Sequence, residues 1–217
     1  DLTRETFASD VLVVPQSVAV YNNVLGADEN LAGQLKALPE VETVATLRAA
    51  SSSKDGSPLA VLGIDPAVYA EVSSMQFVEG SADEAYAALA DGRNAIVTAL
   101  AQSTLGLDPG SDFAIETAEG PQTYRVVAVA HDVLTFKTSS AIISQANLAA
   151  DFHKTADVLL LVNLTSGADK GAALANVQDA LASYPQVNHR RRHHRNADDE
   201  NDCCIDQNAK DANYSVL

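Results

Sequence analysis

Two stretches of this chain, about ninety residues apart, share one order of local structure, and together they limit its fold more than any other feature. The first opens with Asp10-Val11-Leu12-Val13-Val14 closed by Pro15, a short β-branched run typical of a buried strand. A loop rich in Asn and Gly leads to Leu31, Leu35 and Leu38, whose spacing puts them on one helical face. Pro39 stops that helix because it cannot donate the backbone bond. Val41 to Arg48 then reads as a strand, and Lys54-Asp55-Gly56 turns the chain into Leu59-Ala60-Val61-Leu62-Gly63-Ile64. The second stretch begins with a strand from Asp157 to Leu164. Asp169 starts a helix carrying Leu174, Val177 and Leu181, Pro185 ends it, and a short strand at Val187 follows.

The order is β-α-β-β, then β-α-β. Two such pieces are what a split, ferredoxin-like layer needs, with the helices covering one face of a mostly antiparallel sheet. The expected fold class is therefore α+β, with residues 1–65 and 156–188 forming the layer and 66–155 an inserted, β-rich subdomain. Within the insert, Asp83 to Ala90 reads as a helix ended by Asp91-Gly92. Val97, Leu100, Ala101 and Leu105 read as the face of another, ended by Gly106. Phe113 to Thr117 and Thr123 to Ala130 flank the turn Ala118-Glu119-Gly120-Pro121 as a hairpin, and a strand from Ser140 to Ile143 leads into a short helix around Leu148.

Composition narrows the function. The chain has 217 residues, 47% of them hydrophobic, which is enough for one substantial core or two small ones. Aromatics are only 5% and Trp is absent, so that core rests on Val, Leu, Ile and Ala. A net charge of -15, nearly all of it within residues 1–188, repels phosphates and argues against nucleic acid or a polybasic membrane face. The longest dense apolar run, Val158-Leu159-Leu160-Leu161-Val162, is far too short to cross a bilayer. The chain opens at Asp1 with no signal-peptide pattern, as a processed protein or a piece excised from a longer one would, and the excised piece is the expectation.

The order of several phrases resembles a known family. Leu38-Pro39-Glu40-Val41-Glu42-Thr43-Val44 and Val61-Leu62-Gly63-Ile64-Asp65-Pro66 are similar to phrases of the extracytoplasmic domain of MacB-type, FtsX-like ABC-transporter permeases. Phe77-Val78-Glu79-Gly80, Ala95 to Ala101, Leu105-Gly106-Leu107-Asp108-Pro109-Gly110-Ser111 and Tyr124-Arg125-Val126-Val127-Ala128-Val129 continue in the same register. The resemblance covers about residues 10–188 and implies a porter-like layer with an inserted subdomain, held outside the cell membrane between a first transmembrane helix and the later ones. Its implied partners are those membrane helices and a cytoplasmic ATPase subunit, together with a second permease copy and an extracytoplasmic protein. The alternative is a free-standing extracytoplasmic binding or adhesion module.

Residues 189–217 depart from that pattern. His189-Arg190-Arg191-Arg192-His193-His194-Arg195 and Asp198 to Cys204 make an atypical polar tail in place of an amphipathic approach to a membrane helix. Its His189, His193, His194, Cys203 and Cys204 are metal-ligand types, but their spacing matches no zinc knuckle and the arginines repel a cation. Cys203 and Cys204 are adjacent, so no fold-wide disulfide is available. In the body, only His131 and His153 could act as neutral-pH acid–base groups, and Asp132 beside His131 would point to the opposite face of a strand. No G-x-S-x-G elbow or phosphate loop occurs. The expectation is no catalytic, cofactor or metal site and no enzymatic role. Asn163-Leu164-Thr165 and Asn213-Tyr214-Ser215 match the glycosylation sequon, a pattern common by chance.

Overall fold

The computed structural model describes residues 9–15, 26–27, 30–73, 75–131 and 138–183, together with the backbone of 214–216. The first part of the chain forms β1 (Val11–Pro15), α1 (Asn30–Lys36), β2 (Val41–Lys54) and β3 (Ser57–Ile64). The middle forms α2 (Pro66–Val72), β4 (Gln76–Glu79), α3 (Ala82–Leu89), β5 (Asn94–Thr98), α4 (Ala99–Leu105), β6 (Asp112–Ile115), β7 (Gln122–His131), β8 (Ser140–Ser144) and α5 (Gln145–Phe152). β9 (Leu159–Leu164), α6 (Lys170–Ser183) and β10 (Tyr214–Val216) complete it.

The two β-α-β pieces interleave. At one end of the sheet the strand order is β10-β1-β9-β2, so β9 lies between the strands of the first piece and β1 between those of the second. Every pair in this group is antiparallel, which is the split α+β layer that the sequence predicts. Helices α1 and α6 cover one face, with Leu31, Leu35 and Val177 fully buried among Val13, Leu160 and Val162. Asp169 opens α6 by accepting the Gly171 and Ala172 N–H groups on Oδ1. The inward face of α6 is Ala173, Val177 and Leu181, whereas Leu174, expected inside, is 36% exposed. Alanine at 173 lets the helix lie close to the sheet, and the buried stripe follows that approach. The strand expected near Val187 lies outside the described residues; the fourth strand of the layer is β10.

From β2 the same sheet runs on as β3-β8-β5-β7-β4, with β6 attached to β7, to make ten strands. Asp55 and Gly56 join β2 to β3 with φ of 51° and 80°, the left-handed pair that a two-residue hairpin turn requires. β3 and β8, and β5 and β7, pair in parallel, while β5 and β8 are antiparallel.

The helical face expected from Val97 begins only after a strand. Residues 94–98 form β5, and Ala95, Ile96 and Val97 are completely buried because a central strand between β8 and β7 has no solvent face. The helix starts only at Ala99, after Thr98 caps it by accepting the Ala101 N–H on Oγ1. Helix α2, with Asp65 as its cap and Pro66 in its first turn, and strand β4 were not anticipated.

One apolar cluster crosses the whole sheet on the face opposite α1 and α6. It holds Leu12, Leu47 and Leu161 from the split layer with Ile64, Ile96 and Ile142, beneath Tyr69 and Val72 of α2 and Leu89 of α3. On the other face of the middle strands, Val61, Val97 and Ile143 pack against Ala101 of α4 and against Leu148 and Phe152 of α5.

Candidate functional site

Two polar side chains converge on the Asp151 carboxylate, in the last turn of α5 and only 2% exposed. Arg93, in the loop before β5, donates Nε to Oδ2 at 2.9 Å and Nη2 to Oδ1 at 2.8 Å, a two-pronged fork. The buried Tyr124 hydroxyl of β7 donates to the same Oδ2 at 2.6 Å. The Arg93 guanidinium holds the Asp151 carboxyl below its ordinary range, helped by Tyr124 and opposed by burial. Burial, then the neighbouring carboxylate, pushes the Tyr124 phenol up, and Asp151 raises Arg93. Both carboxylate oxygens are thus engaged, Oδ2 by Arg93 and Tyr124 and Oδ1 by Arg93. This triad pins the end of α5 against β7.

Backbone bonds extend the clamp. The Asp151 carbonyl accepts the Ala118 N–H at 3.0 Å, and His153, which closes α5 in the left-handed region, sets Nε2 2.5 Å from Glu119 Oε1. The β6–β7 turn and the α5 terminus thus form one wall.

Facing that wall is an edge of β2 that no described strand pairs. The last rung between β9 and β2 is the Val158 N–H donating to the Leu47 carbonyl at 2.8 Å. One residue earlier, Asp157 turns away from the sheet: its N–H donates to the Ala27 carbonyl at 2.9 Å, and its carbonyl accepts the Ala27 N–H at 2.7 Å. Arg48 Nε fixes this departure by donating to Asp157 Oδ1 at 2.8 Å. Farther along β2, Ser52 Oγ donates to the Glu116 carbonyl at 2.6 Å. Between these two ties lies a groove of about 590 Å³, lined by residues 49–53 on one side and by Glu116, Thr117, Ala118, Phe152 and Lys154 on the other.

The residues singled out from sequence do not meet. His131 is exposed at the end of β7, opposite Gln76 of β4, and Asp132 lies outside the described residues. His153 belongs to the clamp. His189, His193, His194, Cys203, Cys204 and Asn213 also lie outside the described residues. Asn163 sits within β9 and donates Nδ2 to the Glu71 carbonyl at 3.2 Å. Among the described residues, no three His, Cys, Asp or Glu side chains are grouped as a metal site. Sequence reasoning missed Arg93, Tyr124 and Asp151. The available signal was Asp151 itself, an acid at i+3 from the core residue Leu148 and next to Phe152, hence on an apolar face where a charge needs a partner.

A family model described as MacB-like periplasmic core domain matches residues 2–180. The chain belongs to that family. No curated protein matches it. Its fold is similar to the periplasmic region of MacB from Actinobacillus actinomycetemcomitans, at 11% identity and a TM-score of 0.58, over 83% of this chain and 86% of that one. It is also similar to the extracellular domain of the noncanonic ABC-type transporter YknZ from Gram-positive bacteria, at 15% identity and a TM-score of 0.54, over 80% and 90%. In this MacB-like core domain the phrases behind the resemblance are packing and turning residues. Leu107 is buried, the Gly110 N–H donates to the Val126 carbonyl at 2.8 Å, and Gly63 lets Leu148 of α5 lie against β3. No described helix is long and apolar enough to cross a membrane.

Proposed function

We propose that this domain is the extracytoplasmic relay of an ABC-transporter permease, carrying motion driven by a cytoplasmic ATPase to export or to a partner outside the membrane. The family match over residues 2–180 carries this reading. In it, residues 1–65 and 156–188 are the porter-like subdomain coupled to the membrane helices, and residues 66–155 are the insert that reaches the partner side. The domain performs no chemistry of its own, and ATP hydrolysis belongs to the other subunit. The apolar cluster that runs from Leu12 and Leu161 to Ile96 and Ala128 supports movement as one body, because a packed core transmits displacement instead of absorbing it.

The full-length permease, reconstituted with its ATPase, tests this. Spin labels at Val78 and Leu174, which are 53% and 36% exposed, are expected to keep one separation with and without ATP. Each label should shift against a third label on the membrane helices. A Val78–Leu174 separation that changes with nucleotide, or labels that never move against the membrane, overturns the relay.

A further inference from the structure

We propose that the open edge of β2 is a docking site for an extended polypeptide strand with an acidic residue, supplied by a partner protein. The backbone register carries the argument. In an antiparallel hairpin closed by a two-residue turn, the flanking pair Lys54–Ser57 is hydrogen-bonded, and bonding alternates along the strand. Arg48, Ala50, Ser52 and Lys54 therefore face β3, while Leu47, Ala49, Ser51 and Ser53 turn their backbone groups to the other edge. Two independent features agree. Pro58, which has no N–H, stands opposite Ser53, where no bond to β3 is made, and the Leu47 carbonyl accepts from Val158 on the outer side.

The Ala49 and Ser51 N–H and C=O groups consequently point into the groove, and no described residue bonds them. β9 cannot, because Asp157 has given its backbone to Ala27. Four outward groups at a two-residue spacing are the template that a strand completes. The side chains leave room for one, since Ala49, Ser51 and Ser53 are all small. The outward carbonyls at the two ends are taken, Leu47 by the Val158 N–H and Ser53 by the Glu116 N–H at 3.5 Å; the six steps between them, at roughly 3.4 Å each, give the edge about 20 Å, enough for a short strand.

Charge selects the occupant. The lining carries two charged residues, Glu116, which is tied to β2 through its own backbone N–H and carbonyl, and Lys154, which is exposed on the far wall and has no carboxylate partner among the described residues. The cations at the two ends of the edge are paired, Arg48 with Asp157 and Lys54 with Asp55. A carboxylate on the docked strand satisfies Lys154. This inference is independent of the relay, because it needs only the edge, the groove and Lys154.

Hydrogen exchange by NMR on the chain, alone and with the peptide acetyl-Ala-Val-Glu-Val-Ala-amide at millimolar concentration, tests it. In the free chain the Ala49 and Ser51 amides should exchange fast while Ala50 and Ser52 are protected by β3. With peptide, exchange at Ala49 and Ser51 should slow by at least about tenfold. The Lys-for-Glu peptide should protect less, and Lys154→Ala should erase that difference. Ser51→Pro removes an outward N–H and no bond to β3, so it should leave the melting temperature in place and abolish protection of Ala49. Ala49 and Ser51 amides already protected in dilute free chain, protection that appears with chain concentration instead of peptide, no protection by either peptide, or binding unaffected by Ser51→Pro would each overturn the proposal.

Discussion

Replacing Tyr124 with Phe, and separately Asp151 with Asn, separates the parts of the clamp at the end of α5. Tyr124→Phe keeps the ring in its fully buried place and removes one O–H donated to an ionised carboxylate. Hydrogen bonds to charged groups contribute roughly 1.5–3 kcal/mol, so the expected loss is about 2 kcal/mol. Asp151→Asn leaves Arg93 without its countercharge. Removing one partner of a fully buried pair costs roughly 3–5 kcal/mol, and the 44% exposure of Arg93, which returns part of its hydration, points to about 3 kcal/mol. Urea unfolding at pH 7 reads both as a lower midpoint at constant slope, by about 1 M for Tyr124→Phe at a slope near 2 kcal/mol/M. The pH dependence identifies the mechanism. The folded Asp151 pKa lies below its unfolded value of about 3.9, so the stabilisation is present above about pH 4 and is lost as pH falls through the folded pKa. The gap between the native chain and Asp151→Asn should therefore close in acid. Tyr124, whose folded pKa is raised, contributes the opposite limb: above about pH 10 the unfolded phenol ionises first, and the native chain loses stability that Tyr124→Phe does not. A gap for Asp151→Asn that stays constant from pH 7 into acid, or a Tyr124→Phe loss under about 0.5 kcal/mol, refutes the clamp as described.

Two further substitutions probe the contacts that hold the sheet to its helices. Gly63→Ala would put a Cβ 2.8 Å from Leu148 Cδ2 and 3.0 Å from its Cβ, so α5 must shift; overpacking of this kind costs about 1–3 kcal/mol, read as a melting temperature lower by several degrees. Thr98→Val keeps the shape of β5 but removes the Oγ1 that accepts both the Ala101 and Ser140 N–H groups, at 3.3 and 3.1 Å. A loss of about 2 kcal/mol in chemical denaturation is expected, and a neutral result means that water replaces both bonds.

The split layer was legible because its signals are local. β-branched runs, Pro39 as a helix stop and the Asp55-Gly56 turn each act within a few residues, and the interleaving follows once two β-α-β pieces must share one sheet. β5 was misread because Ala95, Ile96 and Val97 are apolar without alternation. A strand buried on both faces leaves no period to distinguish it from the helix that begins at Ala99. The clamp was hidden for a different reason. Arg93, Tyr124 and Asp151 are separated by 31 and 27 residues and lie in a loop, a strand and a helix, so only the folded sheet gives them a common address. The groove was less legible still, since it consists of backbone groups left over when β9 departs.

That departure also explains how a single strand joins the two halves of the sheet. β2 pairs with β9 from Val41 to Leu47 and with β3 from Leu47 to Lys54, so the partners lie on opposite edges and overlap at one residue. Among the described strands, a strand that changes partner in this way is left with an edge that no neighbour pairs on each side of the exchange. Beyond Leu47 the outer edge is the groove. Before it, the edge on the β3 side lies next to α2, where Thr43 Oγ1 donates to Glu71 Oε2 at 2.8 Å. The stagger therefore accounts both for the continuity that the proposed relay requires and for the open edge that the proposed docking uses. Because side chains alternate along β2, a one-residue slip at the exchange would turn Ala45 and Leu47 out of the shared core, so the hydrophobic pattern holds the register and, with it, the direction in which Ala49 and Ser51 present their backbone.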